Sequence, residues 1–293
     1  MKKTISVILL IIVLFSMCAC EKKQKEHISL TMSNKLAQYY STEKIEDYRV
    51  VAALFKMGKD LTTFNLALPK SEENVLSSCE YLLTDYYMQK GGVGVKDSLS
   101  KEKKKYLLEK SKDLSKLSTK ELSFIALTFA NIGENFDQKA FVTEIEKRKG
   151  PVLSGFTKFE VVNNEDAADD IITTAYAYMA LKKMSEFANI DVLDSTLVFM
   201  GDKINDNNTV SDSDSKQSSI ATAITLTALL SSGISLRGEI STSLLTACDK
   251  FAIMKGDTLL GYCEYEKKEV SADAAADVFF CAVSALYGVP FMQ

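Results

Sequence analysis

Tryptophan is absent from this 293-residue chain, which has three prolines and one histidine. The scarcity of proline leaves long stretches in which an α-helix is not interrupted. Zinc and related metals are held by grouped histidines and cysteines, and the single His27 and the widely separated cysteines do not form such a group. The sequence therefore predicts a helical protein with no metal site and no cofactor.

The chain also has no excess of positive charge, because 35 lysines and arginines face 39 aspartates and glutamates and the net charge is −4. Affinity for nucleic acids comes mainly from neutralising phosphates with basic side chains. We therefore expect no nucleic-acid partner. The hydrophobic share of 46% is that of an ordinary globular protein and suffices for a sizeable core.

The first twenty residues predict the compartment. Lys2 and Lys3 form a positive start, residues 5–15 are an apolar run too short to cross a bilayer comfortably, and small residues follow. This order is typical of a secretory signal. One interpretation is an ordinary secreted protein with a conventional cleavage site.

The preferred interpretation depends on Cys20. Ala19 precedes this cysteine and Met17 lies three residues upstream, which resembles the lipobox of bacterial lipoproteins. The resemblance implies that residues 1–19 are removed as a signal peptide and that Cys20 carries acyl chains, such as palmitate, that hold the protein on the membrane. Cys18 is a rival acceptor in a poorer context. The predicted location is the extracytoplasmic face of the cell membrane.

Charged residues follow the predicted lipid site. Residues 20–32 show no helical periodicity and are predicted to form a flexible tether, in which His27 is a solvated residue. No linker divides the rest of the chain, so residues 33–293 are predicted to form one domain.

Residues 271–288, with the sequence SADAAADVFFCAVSALYG, predict a helix most clearly. The segment has a Ser-Ala-Asp start suited to a helix N-terminus, is apolar on nearly all sides and ends at a glycine. A helix that is apolar all round is buried. Counterparts occur at residues 170–182 and 220–233, and weaker ones occur at residues 50–58 and 122–133. More polar outer helices are predicted between or after these inner helices, at residues 101–112, 137–149, 191–202 and 240–255.

This alternation from about residue 33 to residue 290 resembles the α/α-toroid superfamily of prenyltransferase and squalene-cyclase-type repeats. The resemblance is carried by segments such as EDYRVVAALFKMGKD at residues 46–60 and STKELSFIALTFANIGENFD at residues 118–137. It is nearest to the non-catalytic toroid domains on secreted and lipid-anchored proteins of Gram-positive bacteria. It implies an all-α fold in which helical hairpins form a barrel, with Ala-rich helices inside and polar helices outside.

The enzymatic signatures of that superfamily are missing. Prenyltransferases hold zinc with Asp, Cys and His, squalene-type cyclases carry Asp-x-Asp-Asp and Gln-Trp motifs, and thioester domains need Gly-Cys-Gly-Glu-Gln. The nearest strings here, at residues 212–215, 166–170 and 78–81, do not fit. The sequence therefore favours a non-enzymatic module that binds an extracellular ligand or a protein.

Aromatic and charged side chains alternate in two loops that precede inner helices. We predict a binding surface there, at the barrel rim, although the aromatic rings also suit a packing role. The predicted binding residues are Phe156, Phe159, Glu160, Tyr262, Tyr265 and Glu266.

The alternative is a cell-surface enzyme that acts on a polysaccharide or isoprenoid substrate. Two carboxylates brought together by the fold leave no linear motif. The candidate acids at the rim are Glu160, Asp166, Glu264, Glu266 and Asp273. A structural role is the simpler interpretation for several of them, because carboxylates stabilise helix N-termini.

Overall fold

The computed structural model describes residues 27–70, 72–96, 98–150, 154–157, 170–266 and 268–292. Within these ranges the fold is all-α, as the sequence predicts, with short strands in the connections. The helices are α1 (Ile28–Tyr40), α2 (Tyr48–Lys56), α3 (Val75–Lys90), α4 (Ser100–Lys110), α5 (Thr119–Ile132), α6 (Gln138–Glu146), α7 (Ile171–Lys183), α8 (Ile190–Asp202), α9 (Ser219–Ser231), α10 (Glu239–Asp249) and α11 (Ala272–Tyr287).

In the described ranges, three small sheets lie in the connections between helices. The pair β1 (Lys44–Ile45) and β2 (Asn65–Leu66) is parallel, and the pair β3 (Val210–Ser211) and β4 (Gln217–Ser218) is antiparallel. An antiparallel sheet has the order β5 (Ala252–Lys255), β6 (Thr258–Cys263) and β7 (Val270–Ser271).

Six helices contact one another in a closed cycle. The helix α2 packs on α3, α3 on α5, α5 on α7, α7 on α9, α9 on α11, and α11 returns to α2. We call these six the inner helices and the remaining helices, α1, α4, α6, α8 and α10, the outer helices. The outer helices bury fewer of their residues and pack mainly on adjacent inner helices or on one another.

The Ala-rich segments are buried, which confirms the prediction for residues 271–288. The side chain of Ser271 accepts a hydrogen bond from the Ala274 amide and starts α11, and Gly288, with φ of 86°, follows its last residue. Ala275 is fully buried. Small side chains at such positions let neighbouring helix backbones approach closely, and a larger residue there would overpack the core.

Buried Arg148 connects the end of α6 to the start of α5. Its guanidinium donates hydrogen bonds to the carbonyl oxygens of Leu117, at 2.5 Å, and Leu114, at 3.2 Å, and it pairs with Glu144 at 3.1 Å. A buried cation needs such partners. These bonds hold the turn from which α5 begins, where Ser118 and Glu121 form a capping box.

The start of α1 differs from the prediction. The helix begins at Ile28, so residues 28–32 are helical, and the prediction that His27 is a solvated tether residue was wrong. His27 caps the helix, and its Nε2 lies 3.1 Å from Thr242 Oγ1 in α10. The apolar pattern missed this turn because the buried side chains near its start include the small polar residues Ser29 and Ser33. Residues 1–26, with most of the predicted tether, lie outside the described residues.

The predicted outer helix 240–255 was too long. The helix α10 ends at Asp249, and residues 252–255 form strand β5 of a hairpin. Gly256 has φ of 61° in the tight turn to β6, a backbone conformation that favours glycine. No described helix is both long and apolar enough to span a membrane.

Candidate functional site

The inner helices begin around one cavity of about 250 Å³, which we call the central cavity. Five of them line it with their second and sixth residues, and α2 lines it with its first two. Residues four apart on a helix share a face, so the first turns of all six helices converge there. The lining residues are Tyr48, Arg49, Leu76, Glu80, Lys120, Phe124, Ile172, Tyr176, Ile220, Ile224, Asp273 and Asp277.

One side of the cavity is an ionic cluster around Arg49. The guanidinium Nη2 lies 2.5 Å from Asp47 Oδ2 and 2.6 Å from Asp273 Oδ1, and Nη1 lies 2.8 Å from Asp277 Oδ2. The Nε donates to Asp47 Oδ1 at 3.0 Å. One cation, with only 12% of its side chain exposed, is therefore surrounded by three carboxylates. Of these, Asp277 is the most deeply buried, with 5% of its side chain exposed, whereas Asp273 is 73% exposed.

Burial and mutual repulsion shift the carboxyl groups in this cluster. Burial raises the pKa of Asp277 to about 6, although the charge of Arg49 acts in the opposite direction. Burial, followed by the charge of Asp47, raises the pKa of Glu80, and Arg49 again opposes the shift. Burial also disfavours the charged form of Arg49, yet Asp277 and Asp47 keep its pKa above the usual value. Two cations, Arg49 and Lys120, thus face the three carboxyl groups that line the cavity, and Asp47 beside Arg49 is a fourth. The acidic groups therefore outnumber the cations.

The other side of the cavity is aromatic and aliphatic. The rings of Phe124 and Tyr176 are 4.6 Å apart between centroids, and Tyr48 meets Phe124 edge to face at 6.0 Å. The ammonium of Lys120 lies 5.7 Å from the centre of the Tyr176 ring. Phe291, from the C-terminal segment, stacks on Tyr48 at 5.9 Å and is buried. Ring faces next to carboxylates suit a group that is both apolar and positively charged.

A second cavity of about 300 Å³ adjoins the first. Arg49, Glu80 and Asp273 line both cavities, and the β1 region with the N-cap Asp47 completes the second. Glu80 and Asp273 therefore lie where a ligand could extend from one cavity into the other.

Two of the predicted binding residues are core residues, which corrects the prediction that they form an exposed surface. Phe156 and Tyr262 are fully buried. The Phe156 amide donates to Thr174 Oγ1 at 2.8 Å, and the Tyr262 hydroxyl donates to Asp249 Oδ1 at 2.9 Å. Strand β6 is buried from Gly261 to Cys263, because an irregularity in its pairing with β5 interrupts the alternation of its side chains between core and solvent.

Tyr265 and Glu266 lie together at a surface cavity of about 460 Å³, which Lys216 also lines. The Tyr265 hydroxyl donates to Asp212 Oδ2 at 2.6 Å, and the Lys216 ammonium lies 5.7 Å from its ring centre. The Tyr265 side chain therefore joins its own loop to the loop between β3 and β4. Phe159, Glu160, Asp166 and Cys20, the predicted lipidation residue, lie outside the described residues.

Asp273 is one of the predicted candidate acids, whereas Arg49, Glu80 and Asp277 were not predicted as site residues. A signal for them was present. Arg49 and Asp277 are charged residues within otherwise apolar helices, and such residues are seldom buried without a partner. Asp273 and Asp277 are also four residues apart, which places both on one helix face.

The described cysteines belong to the core. Cys79, Cys248, Cys263 and Cys281 are free thiols and are buried. Burial raises the pKa values of Cys79 and Cys281 to about 12, so both remain protonated thiols near neutral pH. Among the residues that the structure describes, no three His, Cys, Asp or Glu side chains are grouped as metal ligands.

A comparison with protein-family models and with curated protein sequences gives no significant match.

Proposed function

We propose that the protein is a lipid-anchored, extracytoplasmic α/α toroid that binds a small ligand in the central cavity. The toroid is supported by the closed cycle of inner helices, by their common start around one cavity and by outer helices that pack against them. The lipid anchor is supported by the sequence around Cys20.

The ligand class follows from the charge balance of the cavity, which is the observation that carries this proposal. The donors of Arg49 are already directed at carboxylates, so little of its charge is left for an anionic ligand. The raised pKa values of Glu80 and Asp277 reflect both their burial and the neighbouring negative charge. A bound cation would favour the ionised carboxylates. The best-matched ligand is a small amine with a short apolar body.

The walls give such a ligand an orientation. Its ammonium group lies between Glu80 and Asp273, and its apolar part contacts the rings of Tyr176 and Phe124. Hydrogen bonds to charged groups contribute about 1.5–3 kcal/mol each. Burial of the apolar part against the rings adds about 0.8 kcal/mol for each methylene group removed from water.

The test is titration of the full-length protein, purified in detergent, with n-butylammonium and with butyrate as the matched anion. We expect saturable binding of butylammonium by calorimetry and none of butyrate. The variant Glu80→Gln should weaken butylammonium binding about tenfold, which corresponds to about 1.4 kcal/mol.

Glu266→Gln is the control, because Glu266 lies at the separate surface cavity. It should bind butylammonium like the wild type. Equal binding of the amine and the carboxylate, or an unchanged affinity in Glu80→Gln, would contradict an amine site in the central cavity.

A cell-surface enzyme is the second candidate, and Asp277 is the observation that favours it. A carboxyl group with a pKa of about 6 beside other carboxylates in a cavity has the properties of a general acid. Against this role, Asp277 is paired with Arg49 and almost wholly buried. Release of a cleaved polysaccharide or isoprenoid product by the purified protein would favour the enzyme.

The proposed anchor has its own test. Cys20→Ala should move the protein from the membrane fraction to the medium or leave an uncleaved precursor, because the acylated residue is lost. Cys18→Ala is the matched control and should fractionate like the wild type. Unchanged fractionation of Cys20→Ala, with no lipid label on the wild type, would contradict lipidation at this residue.

A further inference from the structure

The convergence of the inner helices gives the molecule two distinct ends. Each inner helix begins at the central cavity and runs away from it for 9 to 16 residues. At 1.5 Å per residue this is about 14–24 Å. We call the opposite end, where inner helices finish and outer helices follow them, the distal end.

The chain enters the described structure at the distal end. The end of α10 leads through the β5–β6 hairpin to Cys263, whose carbonyl accepts a hydrogen bond from the hydroxyl of Ser219. Because Ser219 is the first residue of α9, α10 ends near the cavity. The start of α10 therefore lies at the distal end. Thr242 lies in the first turn of α10, and its hydroxyl is 3.1 Å from His27 Nε2. His27 is therefore held beside the distal end by α10.

Exposed apolar side chains occur at this same end. Tyr287 is the last residue of α11, Phe55 lies in the last turn of α2, and Ile240 lies in the first turn of α10. Phe187 and Ile190 lie in the connection from α7 to α8 and at the start of α8. These distal apolar residues are 37–63% exposed.

The packing of α7 against α8 near the cavity shows where the connection between these two helices lies along the molecule. A Cβ on Gly155 would touch both Thr174, at the start of α7, and Phe199 of α8. Phe199 is therefore near the cavity end, and Ile190, nine residues earlier, is about 14 Å nearer the distal end.

We infer that the distal end docks on the lipid bilayer and that the central cavity opens away from the membrane. This inference rests on the proposed acylation of Cys20. Seven residue steps separate Cys20 from His27, and a fully extended chain of that length spans at most about 25 Å. The anchor therefore keeps the distal end close to the bilayer.

The chemistry of the distal apolar residues fits a bilayer surface. Phenylalanine, tyrosine and isoleucine insert into the boundary between headgroups and acyl chains, where a tyrosine hydroxyl stays hydrated. Acyl chains on one cysteine and a shallow apolar contact act together, so that the domain is held in one orientation. A ligand then reaches the cavity from the side of the extracellular medium.

The experiment places a bimane fluorophore on either end of the full-length lipoprotein. The described native cysteines are buried, so Ile240→Cys at the distal end and Leu260→Cys on strand β6 can be labelled selectively. Both wild-type side chains are apolar and exposed, at 52% and 43%. Each labelled protein is incorporated into vesicles of phosphatidylglycerol and phosphatidylethanolamine that contain a lipid with a nitroxide near its headgroup.

The expected result is several-fold stronger quenching of the Ile240→Cys probe than of the Leu260→Cys probe. Equal or reversed quenching in protein that floats with the vesicles would overturn the docking surface while leaving the lipid anchor in place. A protein that does not float with the vesicles would overturn the anchor and, with it, the orientation. An unquenched Ile240→Cys probe in protein that floats with the vesicles would likewise overturn the docking surface.

Discussion

Replacing Arg49 by leucine is expected to lower the free energy of unfolding by about 3–5 kcal/mol near neutral pH. The guanidinium is the cation that faces Asp47, Asp273 and the buried Asp277. Leucine has a comparable apolar stem but leaves the Asp277 carboxylate buried without this cation. Chemical denaturation of the wild type and the variant measures the difference.

The stability that Arg49→Leu loses relative to the wild type should grow with pH. The pKa of Asp277 in the folded protein is about 6, above its ordinary value of 3.8, so its ionisation opposes folding. The stability that protonated Asp277 contributes is thus fully present below pH 3.8, its ordinary pKa, and is lost as the pH rises through about 6. Without Arg49 the folded-state pKa rises further, and the difference between wild type and Arg49→Leu widens above that pH.

Two variants control this prediction. Asp273→Asn removes a mostly exposed partner of Arg49 and should cost about 1 kcal/mol or less. Adding Asp277→Asn to Arg49→Leu should recover part of the loss and remove its growth with pH. A loss in Arg49→Leu that is small and independent of pH would mean that the ionic cluster does not hold the inner helices together.

Replacing Tyr262 by alanine is expected to lower the free energy of unfolding by about 3–5 kcal/mol, because a fully buried ring leaves a cavity. The substitution also removes the hydroxyl that donates to Asp249 at 2.9 Å. Thermal or chemical unfolding provides the measurement. The variant should lose stability rather than lose one particular ligand.

Tyr265→Ala is the matched control, with the same substitution three residues away. Tyr265 is partly exposed, and its hydrogen bond to Asp212 joins two surface loops, so the expected cost is about 1 kcal/mol. Equal costs for the two variants would contradict the assignment of Tyr262 to the core and Tyr265 to the surface.

The helical class and the buried segments could be predicted because their signals are local. Ser118 and Glu121 cap α5 from three residues apart, and the apolar run of residues 271–288 predicts the burial of α11 without reference to any other helix. The strand β5 was missed since its pairing with β6 competes with a helical pattern that continues from α10. The start of α1 was missed because its contacts are made by small polar side chains.

The composition also determined, by itself, that the chain has one histidine and no tryptophan and that its charge is slightly negative. The central cavity was decided by tertiary structure. Arg49 and Asp273 are 224 positions apart and meet because the cycle of helices closes between α2 and α11. The local sequence predicts that the second and sixth residues of a helix share a face. Whether these positions on different helices converge on one cavity depends on long-range packing, which no local pattern encodes.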